Sequence, residues 1–147
     1  MIVGELSVRP VPRLQRDSSL AEAGRRLREA GTGIAAVVED GRLVGTVSER
    51  DLAVRGCAEG LDPERAAIAA VFDPQPLVCP VDAGVRYALQ LMRENGRIWL
   101  IVVDRDQVPV GTVSINQLLD LLWHLVPSEP AGPEPEYVHR VRGDTAP

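Results

Sequence analysis

Two stretches of the chain begin with the same four residues: GTVSERDL at Gly45–Leu52 and GTVSINQL at Gly111–Leu118. The residues before them also correspond once one residue of slack is allowed in the loop before the glycine. The upstream matches are Asp17 with Asp82, Ala23 with Ala88, Leu27 with Met92, Gly31 with Gly96, and Val37-Val38 with Val102-Val103. Similarity that recurs in order at a fixed spacing indicates an internal duplication.

The first half reads as a helix followed by a hairpin. A capping box that begins at Ser19 predicts a helix start, and Gly31 supplies its end. Residues 34–38 and 43–47 are apolar and rich in β-branched side chains, which predicts two strands. Asp40-Gly41 between them is a strong hairpin signal. A second helix is expected after Ser48.

The second half repeats this pattern with different residues. An apolar stripe predicts its helix, Asn95-Gly96 ends that helix, and residues 98–103 and 108–113 predict the hairpin. The stripe consists of Val85, Ala88, Leu89 and Met92. Short leading strands are expected at 11–14 and 77–79.

The predicted fold class is therefore mixed α/β (α+β), with two β-α-β-β-α repeats. A three-stranded sheet with helices on one face leaves apolar surface uncovered, so we expect the repeats to pack together with pseudo-two-fold symmetry. The predicted boundaries are 3–58 for repeat 1, 59–70 for a linker or leading helix, 71–126 for repeat 2 and 127–147 for a proline-rich tail. A ligand would occupy the cleft between the repeats.

The composition excludes several classes of function. The chain has 147 residues, 45% of them hydrophobic and 25% charged, which is typical of a globular protein. No signal-peptide pattern opens it and no apolar run approaches the roughly 20 residues of a membrane span, so we expect a cytoplasmic protein. A net charge of −5 argues against a nucleic-acid surface, which needs clustered positive charge.

The reactive residue types are scarce. All 16 basic residues are arginine, and a Walker-type phosphate loop or a Schiff base needs lysine. Cys57, Cys79, His124 and His139 fit no zinc spacing pattern. A Cys/His nucleophilic pair among them would lack a third group to orient it, which favours buried or incidental thiols. We therefore expect no metal, no cofactor and no catalytic residue, so the chain is predicted not to be an enzyme.

The duplicated arrangement resembles a known family, the tandem CBS-domain pair or Bateman module, over roughly residues 3–125. The hairpin stretch VVEDGRLVG ends at Gly45, and Arg50–Gly56 with Gly60–Pro63 resembles the small stand-alone bacterial members of the family. The helix opening that matches the family consists of Asp17, Leu20 and Ala23.

The resemblance implies a regulatory module that binds an adenine nucleoside or nucleotide, such as AMP, ADP, ATP or S-adenosylmethionine, between its repeats. Family members commonly form flat dimers. In the family signature Gly-h-x-Ser/Thr-x-x-Asp, where h is hydrophobic, the hydroxyl and carboxylate hold ribose and phosphate. The candidate ligand-binding residues are accordingly Gly45, Thr46, Ser48, Arg50 and Asp51, with Ser114 from the second copy.

The same signature has a simpler interpretation, because Ser-x-x-Asp before an apolar stretch is also a helix capping box. Ser114 and Gln117 make such a box in the second copy, where Gln117 lacks the carboxylate. We therefore expect at most a weakened second site. The alternative function is a ligand-free dimeric scaffold or partner-docking protein in which Ser48 and Asp51 only cap a helix.

Two further features point to packing or to partners. Trp99 corresponds to the stretch around Ile34 and is expected either to fill the second cleft or to anchor a core or dimer contact. The last helix, residues 115–125, is apolar around most of its girth, which favours a homodimer through this helix or cover by the tail. In that tail, Tyr137–Val141 alternates as an added strand would. With no attached catalytic domain, output is expected to run through a separate, unknown protein partner.

Overall fold

The computed structural model describes residues 1–6, 8–125, 127 and 132. It contains six strands and three α-helices within those residues. The strands are β1 (Arg13–Leu14), β2 (Ile34–Glu39), β3 (Arg42–Ser48), β4 (Val78–Pro80), β5 (Trp99–Val103) and β6 (Pro109–Ser114). The helices are α1 (Leu20–Ala30), α2 (Val85–Asn95) and α3 (Ile115–Leu125). The predictions made for the tail, including Tyr137–Val141, lie outside the described residues.

Two three-stranded sheets with identical topology confirm the duplication. Strands β1, β2 and β3 form the sheet of repeat 1, and β4, β5 and β6 form that of repeat 2; the first pair in each is parallel and the second antiparallel. Ile34 pairs with Ser48 in one hairpin and Trp99 pairs with Ser114 in the other. The extra residue that the alignment of the two halves requires lies in the second hairpin loop. The first hairpin is joined by the two-residue turn Asp40-Gly41. That turn has φ of 50° and 75°, as a two-residue type I′ connection requires.

The predicted helix ends are also confirmed. The Ser19 hydroxyl accepts a hydrogen bond from the Glu22 amide at 3.0 Å, so it caps the start of α1. Gly31 and Gly96 end α1 and α2 in the left-handed conformation, with φ of 63° and 60°. The segment after β3 differs from the ordinary helix expected there, because Asp51–Cys57 forms a π-helix. It leaves Gly56 buried beside the Leu20 side chain.

Each repeat completes its core with a segment that comes from outside its own sheet and helices. The N-terminal Val3 is fully buried among repeat 2 side chains, and its amide donates to the Ala83 carbonyl at 2.8 Å. Conversely, Ile68 and Val71 belong to the core of repeat 1, and the Ile68 amide donates to the Ser18 carbonyl at 2.8 Å. The leading segments are thus exchanged between the repeats.

A third apolar cluster joins the two sheets. It consists of Ile34 and Ala36 from β2 and Ile101 and Val103 from β5, with Trp99 packed against it. Ala36 and Ile101 are completely buried there. The sheets therefore cover each other's apolar faces, as the sequence predicts, and a gap remains between the repeats where β3 ends and where β2 and β5 begin. Across the residues that the structure describes, no helix is long and apolar enough to cross a bilayer.

Candidate ligand-binding site

The junction between β3 and the π-helix is a complete capping box. The Asp51 Oδ2 atom accepts hydrogen bonds from the Ser48 amide at 2.9 Å and the Ser48 hydroxyl at 3.0 Å. In return, the Asp51 amide donates to the Ser48 hydroxyl at 3.1 Å. The Asp51 residue is only 8% exposed. One carboxylate oxygen is therefore used by the cap, and the other, Oδ1, contacts the Arg55 guanidinium at 3.9 Å.

The second copy of the junction has the same geometry without the acid. The Gln117 side-chain oxygen accepts from the Ser114 amide at 2.9 Å and from the Ser114 hydroxyl at 3.1 Å. The Gln117 amide donates back to the Ser114 hydroxyl at 3.2 Å. Both copies of the signature thus close a capping box with their own residues. Only Asp51 adds a carboxylate to it.

The glycine of the repeated tetrapeptide has a packing role. A side chain at Gly45 would collide with the Asp73 carbonyl and the Phe72 ring, and one at Gly111 would meet the Arg9 carbonyl at 2.9 Å. Asp73 and Arg9 are the residues at which the exchanged segments pair with Thr46 and Thr112, each through two backbone hydrogen bonds. The recurrence of Gly-Thr is therefore explained by the crossing of these segments.

A small gap, lined by both apolar and polar side chains, separates the Asp51 carboxylate from repeat 2. Its volume is about 20 Å³. Residues that line it are Ile34, Thr46, Ser48, Asp51, Asp73, Leu77, Arg97 and Trp99. On the side of repeat 2 an ion pair closes it, with the Arg97 guanidinium 3.0 Å from the Asp73 carboxylate. A gap of this size holds no more than a single water molecule.

A much larger cavity of about 600 Å³ lies on the other side of Trp99. It is bounded by α1, by the π-helix and by the loop after α1, and its walls include Leu20, Leu27, Leu52 and Leu61. Polar groups from Arg28, Thr32 and Glu49 also reach it. Trp99 lines both this cavity and the small gap at Asp51. The indole is thus the partition between them.

The second cleft is closed in a different way. The Arg9 guanidinium donates to the Gly31 carbonyl at 2.9 Å, which ties the N-terminal segment to the end of α1. Thr112 is fully buried, and its hydroxyl makes no hydrogen bond within the described residues. The expectation that Trp99 fills this second cleft is wrong, because the indole projects toward Asp51 in the first. The expectation that Trp99 packs in a core is confirmed by its contact with the cluster between the sheets.

The model of the CBS domain family matches the chain twice, over residues 3–55 and 68–124. The chain belongs to the CBS domain family. The two matches make it a tandem CBS pair, which confirms the resemblance noted from the sequence. CBS domains are generally regulatory, non-catalytic modules, and the matching model indicates no enzyme family.

Solved structures and curated relatives agree with this assignment. A CBS-domain protein of Pyrobaculum aerophilum complexed with AMP is 26% identical with a TM-score of 0.75, over 85% of this chain and 98% of that one. The meiotically up-regulated gene 70 protein of Schizosaccharomyces pombe is 29% identical over 81% of this chain. A protein of Methanopyrus kandleri is 26% identical over 84%. The chain spans 15% and 64% of the lengths of these two relatives.

The predicted site residues of the CBS pair are only partly brought together. Thr46, Ser48 and Asp51 line the small gap, whereas Arg50 is exposed and lies outside the lining of both cavities. Gly45 is buried against the exchanged segment, and Ser114 caps the last helix of the other repeat.

Sequence reasoning missed Asp73 and Arg97, and it did not place Trp99 beside Asp51, where the second CBS repeat contributes it. A signal was available in the loop after each first helix. That loop reads Gly31-Thr-Gly-Ile34 in repeat 1 and Gly96-Arg-Ile-Trp99 in repeat 2. A charged and an aromatic residue replace small ones at a cleft, and such a difference between copies marks an asymmetric site.

The two cysteines of the CBS pair differ in accessibility and acidity. Cys57 is exposed, whereas Cys79 is fully buried, and burial raises the pKa of Cys79 from its ordinary 9.0 to about 11. The described residues contain no cluster of three or more histidine, cysteine or acidic side chains suited to a metal ion.

We expect a thiol reagent at pH 8 to modify Cys57 rapidly and Cys79 only after unfolding, because the thiolate is the nucleophile and Cys79 stays protonated and buried. Mass spectrometry of the labelled chain distinguishes one modification from two. The Cys57→Ser variant is the control, and rapid labelling of its native state would contradict the burial of Cys79. Because the folded pKa is the higher one, Cys79 also makes stability decline as pH rises from 9 toward 11.

Proposed function

We propose that this CBS pair is a non-enzymatic sensor that binds an adenine nucleoside or nucleotide in the cleft between its repeats. The ligand class is that of AMP, ADP, ATP and S-adenosylmethionine. The observation that carries the proposal is the buried Asp51 carboxylate, which faces the gap between the repeats in a fold whose AMP-complexed relative is 26% identical. The signal would pass to a separate protein partner.

The chemistry of Asp51 suits a ribose. The capping box uses Oδ2, and the contact of Oδ1 with Arg55 is long, with an Arg55 side chain that is 53% exposed. An ion pair of that kind contributes little and breaks readily. A carboxylate oxygen accepts two or more hydrogen bonds, so Oδ1 has the capacity to accept from both ribose hydroxyls. The cap need not be broken for this to happen.

The phosphate contact is assigned to Arg97 ahead of Arg50. Arg97 already lines the gap, and its guanidinium is held by Asp73 at 3.0 Å. A guanidinium binds phosphate oxygens in the same paired geometry in which it binds a carboxylate. A ligand phosphate would therefore replace Asp73 as the partner of Arg97.

The alternative function, a ligand-free scaffold or partner-docking protein, is supported by the closed state of the gap. Both capping boxes are complete without a ligand, and about 20 Å³ is far below the several hundred that a nucleoside needs. Under this alternative, Ser48 and Asp51 act only as a helix cap. The two functions differ in what happens when a nucleotide is added.

The homodimer stays a prediction, and helix α3 is where we place its contact. The helix exposes Leu119, Leu122, Trp123 and Leu125, and the Trp123 side chain is 79% exposed. An apolar patch with a central tryptophan is typical of an interface, and a second copy presents the same patch about a two-fold axis. Sedimentation of the Trp123→Asp variant against the native protein tests it. A monomer in both would favour the unknown partner instead.

A thermal-shift and calorimetry panel of AMP, ADP, ATP, NAD and S-adenosylmethionine tests the proposed function. A ligand that binds only the folded state raises the melting temperature in step with RT ln(1 + [L]/Kd). We expect a saturable shift for at least one adenine ligand and none for the matching guanine nucleotide. If no ligand raises the melting temperature or binds in calorimetry at millimolar concentration, the ligand-free scaffold is favoured.

A further inference from the structure

Trp99 reaches the Asp51 cleft from the opposite repeat. It is the first residue of β5 in repeat 2, and its backbone pairs with Ser114. Its indole is partly buried and lines both the 20 Å³ gap and the 600 Å³ cavity. Trp99 is the only described residue that the linings of the two spaces share. Repeat 2 therefore controls how much room exists beside the acid of repeat 1.

Gly33 makes room for this indole. A side chain at Gly33 would collide with the Trp99 ring nitrogen and lie 2.8 Å from the Trp99 Cδ1 atom. The position that corresponds to Gly33 in repeat 2 is Ile98, and the one that corresponds to Trp99 in repeat 1 is Ile34. The large residue and the space for it thus occur together in one cleft only. This match indicates a specific seat for the ring.

The indole is held in place by apolar packing and, among the described residues, not by a hydrogen bond. Its N–H group donates no hydrogen bond within the part of the chain that the structure describes, although a buried indole usually has a partner. The neighbouring Arg97–Asp73 ion pair has side chains 43% and 20% exposed. A partly exposed ion pair of this kind contributes only modestly to stability, so it does not strongly oppose opening.

We propose that Trp99 is a gate that closes the adenine site until a ligand displaces it. The inference rests on the proposed function and adds its regulation. With the indole swung out, the gap at Asp51 joins the larger cavity, and the combined space accommodates a nucleoside, whose base lies against the apolar walls. Binding of the nucleoside then shifts the start of β5. Occupancy of the site in repeat 1 therefore changes the structure of repeat 2.

The gate lowers apparent affinity, because a site that is open for only a fraction of the time binds with its intrinsic Kd divided by that fraction. The substitution Trp99→Ile replaces the indole by a smaller side chain, the one that repeat 1 has at the corresponding position. We expect it to tighten AMP binding by about tenfold and to speed association by a similar factor, which corresponds to a site open about one tenth of the time in the native protein. The Ile98→Ala variant, at an exposed neighbouring position, is the matched control and should bind as the native protein does.

Tryptophan fluorescence reports the gate without altering it. The chain has two tryptophans, so Trp123→Phe leaves Trp99 as the sole one. We expect AMP titration of Trp123→Phe to red-shift its emission and increase its quenching by acrylamide, as the indole moves toward water. This measurement remains available if Trp99→Ile fails to fold.

Three outcomes separate the gate from the proposed function. Tighter binding by Trp99→Ile, or binding by Trp99→Ile alone, supports the gate. Equal or weaker binding by Trp99→Ile, with unchanged emission from Trp123→Phe, overturns the gate and leaves the proposed function standing, since the ring is then a wall or a stacking surface. No adenine ligand bound by any variant overturns both.

Discussion

Asp51→Gln should lose most of the adenine-ligand affinity of the protein while its fold stays intact. Repeat 2 shows that glutamine at this position closes the capping box, with the Gln117 oxygen 2.9 Å from the Ser114 amide. The substitution therefore keeps the cap and removes the second carboxylate oxygen. A hydrogen bond to a charged group contributes roughly 1.5–3 kcal/mol, so we expect Kd to rise about 10- to 150-fold in calorimetry.

The control for this prediction is Gln117→Ala, which removes the corresponding cap from repeat 2 and leaves Asp51 in place. It should lower the melting temperature, because losing a cap costs about 1 kcal/mol, without weakening ligand binding comparably. If Asp51→Gln binds AMP as well as the native protein does, the carboxylate has no ligand role. The scaffold alternative would then describe Asp51 correctly.

Gly45→Ala should be strongly destabilising, by about 3 kcal/mol in chemical denaturation. The added methyl group would run into the Asp73 carbonyl and the Phe72 ring, and a carbonyl fixed in a backbone pair with Thr46 cannot move aside cheaply. The exchanged segment must separate from β3 or the strand must bend. We expect the denaturant concentration at the unfolding midpoint to decrease strongly, whereas the ligand affinity of the folded fraction should change little.

Gly24→Ala is the matched control, because it is the same substitution made in open space. Gly24 lies in the middle of α1, and apart from its chain neighbours and the backbone of its own helix, no atom lies within 4 Å of the place where its side chain would be. Alanine is favoured over glycine inside a helix by about 0.5–1 kcal/mol, so this variant should gain stability. Equal effects of the two substitutions would show that the contact of Gly45 with the exchanged segment has no special role.

The regular part of the fold could be predicted because it is encoded locally. Ser19 and Gly31 bound a helix through hydrogen bonds within a few residues, and Asp40-Gly41 has the residue types that positive φ requires. The duplication then supplied an independent check, since each pattern had to hold twice. These signals are short-range, so they can be recognised without knowing which residues pack against them.

The exchanged segments and the cleft could not be predicted in the same way. Nothing near Gly45 in the sequence says that Asp73 will cross it, because the two are brought together only by the fold. The glycine was therefore interpreted as a ligand contact. The interpretation that Trp99 fills the second cleft was wrong for a similar reason, whereas its packing in a core was confirmed. Its position along β5 was correct, but the direction of its ring depends on Gly33, a residue 66 positions away.

The exchange of leading segments has a consequence for how the chain is made. Val3 and Arg9 are synthesised long before their hydrogen-bond partners, Ala83 and Thr112. Until those partners exist, the apolar side chains around Val3 lack the core that buries them, and the partly synthesised chain exposes them to other nascent copies. Pairings so distant in sequence form slowly, and proteins of this kind are vulnerable to swapping arms with a neighbour. The segment that contains Val3 and Arg9 is thus among the last parts of the chain to reach its native position.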